Sequence, residues 1–257
     1  MKTYQTVLLM ALITATQPAQ AQNVQLHYDL GSTLYHSQLA DRPSVTTTIE
    51  HFAPDTWGNT YFFADFDYYG SGMAGAYWEI SREFNLTSLS ANGRHTLAAH
   101  AEYNGGLSTA RHLQYSSRFQ HAFLAGFALN WHSADFARTF SLQTLYKQYF
   151  RGEQPQQDAF ASFQFTTVWG IHFAHRRCTF SGFCDVWYDP NVDGRLIVLS
   201  EPQFWFHLRH LPPFRNANGG YPSIGTEVEI SNNFVYTDSG RRNRFFAIPT
   251  LAIKWTF

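Results

Sequence analysis

The sequence predicts an all-β fold: a single twelve-stranded antiparallel barrel of the outer-membrane type. Three observations lead there. Apolar and polar residues alternate in segment after segment, the apolar set is unusually aromatic, and charge is sparse, with 18% aromatic against 14% charged residues. Strict alternation is the period of a strand whose two faces meet different surroundings.

The segments follow in chain order. Residues 24–31 set Val24, Leu26, Tyr28 and Leu30 against Gln25, His27 and Asp29. In 60–69, Phe62, Ala64, Phe66 and Tyr68 oppose Asp65 and Asp67; in 75–84, Ala76, Trp78 and Ile80 oppose Tyr77, Glu79, Ser81 and Glu83. Residues 95–103 place Leu97, Ala99, Ala101 and Tyr103 opposite His100 and Glu102. The second half repeats the pattern. Phe140, Leu142 and Tyr146 oppose Ser141, Gln143 and Lys147 in 139–147, and Phe163, Phe165 and Trp169 oppose Ser162, Gln164 and Thr166 in 161–169. Polar faces are marked by Ser181 and Asp185 in 179–187, Gln203 and His207 in 201–208, and Glu227 and Glu229 in 226–231. Weaker candidates are 45–53 and 118–129. The stretch 245–257, with Leu251, Ile253, Trp255 and Phe257 alternating with Thr250, Lys254 and Thr256, brings the count to twelve. An alternation that runs to the last aromatic residue is expected of a strand that pairs back to the first.

Residues 1–21 read as a secretory signal peptide: Lys2, an apolar run at 7–15, and the small-residue ending Ala19-Gln20-Ala21. Residues 22–257 then form one domain, with no linker and with turns rich in Gly, Pro, Asn and Asp. No segment has the roughly 20 apolar residues of a membrane-spanning helix, and a net charge of −1 lacks the basic excess of a nucleic-acid binder. Strands in lipid must close, because every backbone group there needs a partner. Tyr28, Tyr68, Trp78, Tyr103, Tyr146, Trp169 and Phe257 suit the interfacial aromatic girdles of such a barrel. The expected setting is a bacterial outer membrane, with the chain a monomer surrounded by lipid. A soluble lipocalin-like barrel or sandwich is the alternative.

Pro202 and Pro249 fall inside predicted strands, where each removes a ladder donor, so a bulge or local strain is expected at both. External connections are expected at 32–44, 70–74, 105–117, 148–158, 189–194 and 236–242, and very short internal ones at 54–57 and 174–176.

Several motifs invite chemistry without supporting it. The GSGMAG at 70–75 matches a dinucleotide fingerprint but precedes a strand, not the helix that mechanism needs. Cys178 and Cys184 share one strand face about 20 Å apart, beyond disulfide reach, unless a loop brings them together. His172 with His175 and His207 with His210 lack further ligands at metal spacing. His132, Ser133 and Asp135 are triad types in a predicted turn, and triads are assembled by geometry, not adjacency. No catalytic, metal or cofactor site is expected, and the protein is not expected to be an enzyme.

The polar face is the informative constellation. Asp29, Asp65, Asp67, Glu79, Glu83, Glu102, Asp185, Glu201, Glu227 and Glu229 are expected to point inward, with His27, His100, Gln143, Lys147, Gln203, His207 and Lys254. Tyr61, Phe63, Tyr77, Trp187 and Trp205 share that face. Two readings stay open: a lumen plugged by its own charge pairs, or a narrow aqueous pore whose aromatic faces stack flat solutes while carboxylates accept their hydrogen bonds.

The stretches TFSGFCDVWYD (179–189), LSEPQFWF (199–206), FAIPTLAIKWTF (246–257), NVQLHYDLG (23–31) and TYFFADFD (60–67) resemble nucleoside-specific channel-forming outer-membrane proteins of the Tsx-like family. The resemblance covers most of 22–257 in order and spacing. It implies a twelve-stranded monomeric barrel that passes nucleosides passively. Asp65, Asp67, Asp185, Trp187, Glu201, Gln203 and Trp205 lie in the matching segments. The resemblance also implies that the terminal strand ending at Phe257 is read by the outer-membrane assembly machinery. Rival readings are a structural or adhesion barrel with a plugged lumen and a membrane-embedded hydrolase.

Overall fold

The computed structural model describes residues 21–70, 72–109, 116–152, 158–192, 194–215, 219–238 and 244–257; the expected signal peptide, Ala21 apart, lies outside them. Twelve antiparallel strands form one closed ring. They are β1 (Ala21–Asp29), β2 (Val45–Asp55), β3 (Gly58–Tyr69), β4 (Gly72–Ser88), β5 (His95–Thr109) and β6 (Ala122–His132) in the first half. The second half has β7 (Arg138–Tyr149), β8 (Phe160–Phe173), β9 (Cys178–Tyr188), β10 in two pieces (Leu196–Ser200 and Gln203–His207), β11 (Tyr221–Asn232) and β12 (Phe245–Thr256). Each pairs with the next, and β12 returns to β1 with Ile253 opposite Leu26. A short strand, Ser116–Arg118, folds back on the end of β5.

Register sets the two faces, since residues directly opposite in a ladder share a side. Trp255, Val24, Ile49, Ala64 and Trp78 follow one another around the ring on the outer face. Leu26 is 45% exposed, Ile253 57% and Phe163 62%, whereas Gln25 is 1% exposed, His27 3% and Gln164 3%. The polar residues are inside and the apolar residues outside. A soluble barrel or sandwich has the reverse arrangement, and the alternative set out from the sequence falls on this point.

The two prolines do not create the expected bulges. Pro202 divides β10, yet β9 pairs with both pieces in one unbroken register, Cys184 opposite Ser200 and Ser181 opposite Gln203. Register is likewise unchanged across Pro249. There Thr250 fills the gap in the ladder, its Oγ1 accepting the Glu227 N–H at 3.1 Å while its carbonyl accepts Thr226 Oγ1 at 2.6 Å. The irregular points are instead at Asp67/Tyr68 and Asn85/Thr87. The two cysteines stand free on the outer face of β9, so no disulfide forms between them.

Ala21 and Phe257 lie at one end, where the 208–220 connection also lies. The opposite end carries the connections after β1, β3, β5, β7, β9 and β11, of which 30–44 holds two single-turn helices, Gly31–Leu34 and His36–Leu39. These loops turn inward. Leu39 and Val235 bury themselves on the lumenal Phe246 and Ile248, joined by Tyr35 and Phe234. Val192 does the same on Trp187 and Ile197, with Tyr149, Leu199 and Phe234 alongside. Tyr149 links this group to Ala122, Leu124 and Leu145. An apolar layer therefore lies across the loop end of the barrel.

An ion triad fixes the first loop to the wall. Arg42 donates to Asp29 Oδ2 from Nε at 2.9 Å and to Glu229 Oε2 from Nη2 at 2.7 Å. Burial works against the Arg42 charge, but Glu229 and Asp29 more than offset it and raise its pKa above the usual arginine value. Asp238 adds a second clasp, accepting the Ala40 N–H at 2.9 Å.

Two outcomes follow. Arg42→Ala leaves two lumenal carboxylates without their cation, at a cost of about 3 kcal/mol, and should open 30–44 to limited proteolysis; an unchanged cleavage pattern would remove the triad from the account. Gly225, on the lumenal side of β11, lies under the Trp205 indole, and a Cβ there would collide with that ring and with the Phe204 carbonyl. Gly225→Val should destabilise the barrel by about 1–3 kcal/mol, read as loss of the compact form on unboiled gels at lower temperature than the parent.

Candidate functional site

The side chains assigned to the polar face from the sequence face inward, and they sort into two walls and a knot. The first wall runs over β2–β5. Glu50, Phe63, Glu79 and Asn104 stand side by side in register across these four strands. The next row toward the loops is Thr48, Asp65, Tyr77 and Gly106. Rings and carboxylates thus alternate like a checkerboard.

The rings form a continuous strip. Centroids are 6.1 Å apart for Tyr61 and Phe63, 6.0 Å for Phe63 and Tyr77, and 6.2 Å for Tyr77 and Phe119, within the range of favourable aromatic pairs. Phe119 comes from the connection after β5 and reaches the lumen because Gly106 leaves it room. Neutral donors orient the carboxylates. Tyr77 donates to Glu79 Oε1 at 2.6 Å, Thr48 to Asp65 Oδ1 at 2.5 Å, Thr46 to Asp67 Oδ1 at 2.6 Å and Tyr61 to Glu50 Oε1 at 3.0 Å.

The second wall, β9–β12, carries rings already faced by cations. Trp205 is fully buried, with Lys254 Nζ 3.9 Å from the ring centroid. Its Nε1 donates to Gln203 Oε1 at 2.8 Å, and Gln203 Nε2 donates to Glu227 Oε2 at 2.6 Å. Trp187 has Lys147 Nζ 4.6 Å from its centroid and forms part of the apolar layer at the loop end. Asp185 accepts from Thr166 Oγ1 at 2.6 Å. Glu201 lies level with Phe183, its N–H donating to that carbonyl at 3.1 Å, and Glu229 is held by Arg42.

The knot sits toward the termini, between β3 and β7. Glu83 accepts from Asn59 Nδ2 at 3.1 Å and Asn130 Nδ2 at 2.7 Å, and His100 bridges Glu83 at 3.3 Å and Glu102 at 3.2 Å. Both Glu83 and His100 are buried. On the other side, His172 meets Thr179 at 2.8 Å, Thr179 meets His207 at 2.7 Å, and His207 meets Ser223 at 2.8 Å. Of the four histidines noted in the sequence, His172 and His207 thus join hydroxyls, while His210 Nε2 is buried without a hydrogen-bond partner. The run at 132–135 is turn chemistry: Ser133 Oγ donates to Asp135 at 2.7 Å, and the His132 ring stacks on Phe136 at 3.9 Å.

Four contributors escaped the sequence reading. Glu50 sits in VTTTIEHF, where threonines on both faces blur the alternation. Asn104 and Phe119 lie at the end of a strand and in a connection, and Arg42 lies in a loop. The last two reach the lumen only through tertiary folding. Among the residues whose side chains are described, Arg42, Lys147 and Lys254 enter the lumen and Arg209 lies over Tyr221 at its terminal end, fewer cations than carboxylates. The lumen is therefore an electronegative, ring-lined compartment between an apolar layer and a polar knot.

No curated protein matches the chain. A family model does match, over residues 21–257, which takes in every strand of the ring. The chain belongs to the DUF5020 family, a domain of unknown function.

Proposed function

We propose that the protein is an outer-membrane barrel that passes small polar solutes, with nucleosides the class implied by the resemblance to Tsx-like channels. The observation that carries this reading is the inverted polarity: an apolar, aromatic outer face around a lumen of carboxylates, amides and rings. An apolar band belongs against hydrocarbon, and a polar interior belongs to an aqueous path. In this reading lipid covers the outer face of a monomer, and the assembly machinery reads the terminal strand through Phe257. The lumenal rings offer flat faces to a base, and the carboxylates accept hydrogen bonds from hydroxyl and amino groups.

The apolar layer at the loop end favours a second reading, a structural or adhesion barrel with a closed lumen. Single-channel recording of refolded 22–257 in planar bilayers separates the two. A conducting pore blocked by adenosine or thymidine supports solute passage; folded protein that stays silent supports closure. If stacking underlies the block, Phe63→Ala and Tyr77→Ala, whose rings no described lysine or arginine covers, should each weaken it by about 1–3 kcal/mol, the usual worth of a base–aromatic stack. Unchanged block in both would remove stacking on the β2–β5 wall from the account.

A further inference from the structure

We propose that the β2–β5 wall is a binding site for an organic cation, a protonated amine carried on a flat aromatic body. The proposal deepens the channel reading and rests on it for access to the lumen. Its first support is a mismatch of partners. Glu50, Asp65 and Glu79 receive hydrogen bonds from tyrosine, threonine, asparagine and glutamine, which orient them but bring no positive charge. Among the described residues no lysine, arginine or histidine forms an ion pair with any of the three. Lys147 and Lys254 act on Glu79 and Glu50 only from beyond ion-pair distance, so the carboxylates still repel one another in the confined lumen, and a cation placed between them removes that cost.

The second support is independent of the carboxylates. Asn104 stands next to Glu79 in register, is 5% exposed, and its Oδ1 is buried with no hydrogen-bond partner. Buried carbonyl oxygens are rarely left unpaired. What is missing here is a donor, and the neighbouring groups are acceptors too. A protonated amine supplies up to three donors and the charge.

The third support is the strip Tyr61–Phe63–Tyr77–Phe119. Aromatic faces attract cations, and the attraction strengthens when the pair is shielded from water. The opposite wall shows how this lumen uses that attraction: Lys254 and Lys147 sit 3.9 Å and 4.6 Å from the centroids of Trp205 and Trp187. Those faces are taken by the protein's own ammonium groups. On the β2–β5 strip no described lysine or arginine sits over a ring. A neutral solute would satisfy the acceptors there but leave the charge uncompensated, whereas a cation answers both.

Calorimetry on the folded barrel in detergent, with three indoles of one shape and different charge, provides the test. Tryptamine (cationic) should bind about tenfold tighter than tryptophol (neutral), and indole-3-acetate (anionic) should not bind. Glu79→Gln should bring tryptamine down to the tryptophol level without changing tryptophol. If that variant does not give the compact form on unboiled gels, Phe63→Leu serves instead and should weaken both ligands. Equal affinity for all three, or full tryptamine affinity in Glu79→Gln, overturns the proposal. Binding needs no conductance, so a silent bilayer with tight tryptamine binding defeats the channel alone. A conducting pore that ignores tryptamine defeats the cation site alone.

Discussion

Closure of the hydrogen-bonded ring is the constraint on which the rest depends. With β12 returning to β1, no strand edge is left to find another partner. Closure also confines every second side chain to an interior too narrow for bulk water to screen freely, so neighbours within the lumen must satisfy one another. That is why Asp65 and Asp67 of β3 each sit against a threonine hydroxyl across the strand pair, why Tyr77 turns its hydroxyl to Glu79 on its own strand, and why Glu83 gathers two asparagines and a histidine. The same confinement lets one glycine matter: Trp205 lies flat only because Gly225 offers no Cβ beneath it.

Along the barrel axis the lumen is not uniform, and loop residues make the difference. Strands alone provide the alternating walls. Leu39, Val192 and Val235 lay an apolar layer over one end, and Arg42 locks that arrangement to the acidic wall through Asp29 and Glu229. Phe119 extends the aromatic strip upward in the same manner. The walls thus come from the strands alone, whereas the apolar layer needs loop residues packed on strand residues.

The ring was legible in the sequence because a period of two needs no tertiary information. Leu26 and Gln25 announce their faces by their neighbours two positions away. Legibility failed where that contrast was weak, as in the threonines of β2 that hid Glu50. It also failed where ladder logic was applied to one residue at a time: the prolines were expected to bend their strands, but Thr250 replaces the missing ladder contact with side-chain hydrogen bonds. The site was half legible. Inward direction followed from alternation, but not which carboxylates would meet a cation. Lys254 goes to Trp205 and Lys147 to Trp187, so that among the described residues no cation pairs with Asp65 or Glu79, and that division depends on register between strands far apart in the chain.

That division bears on what the lumen can accommodate. Two tryptophans that look from the sequence like stacking platforms are already covered by ammonium groups, and Trp187 is part of the apolar layer. The uncovered rings are the smaller ones on β3 and β4, interleaved with carboxylates held by neutral donors and with the unpartnered Asn104 Oδ1. A solute entering this compartment therefore meets two unlike walls. On one, the tryptophan faces are covered by ammonium groups. The other carries uncovered rings, carboxylates such as Asp65 and Glu79 that no described lysine, arginine or histidine pairs with, and an amide oxygen short of a donor, so selectivity is expected to follow the chemistry of that wall more than the width of the barrel.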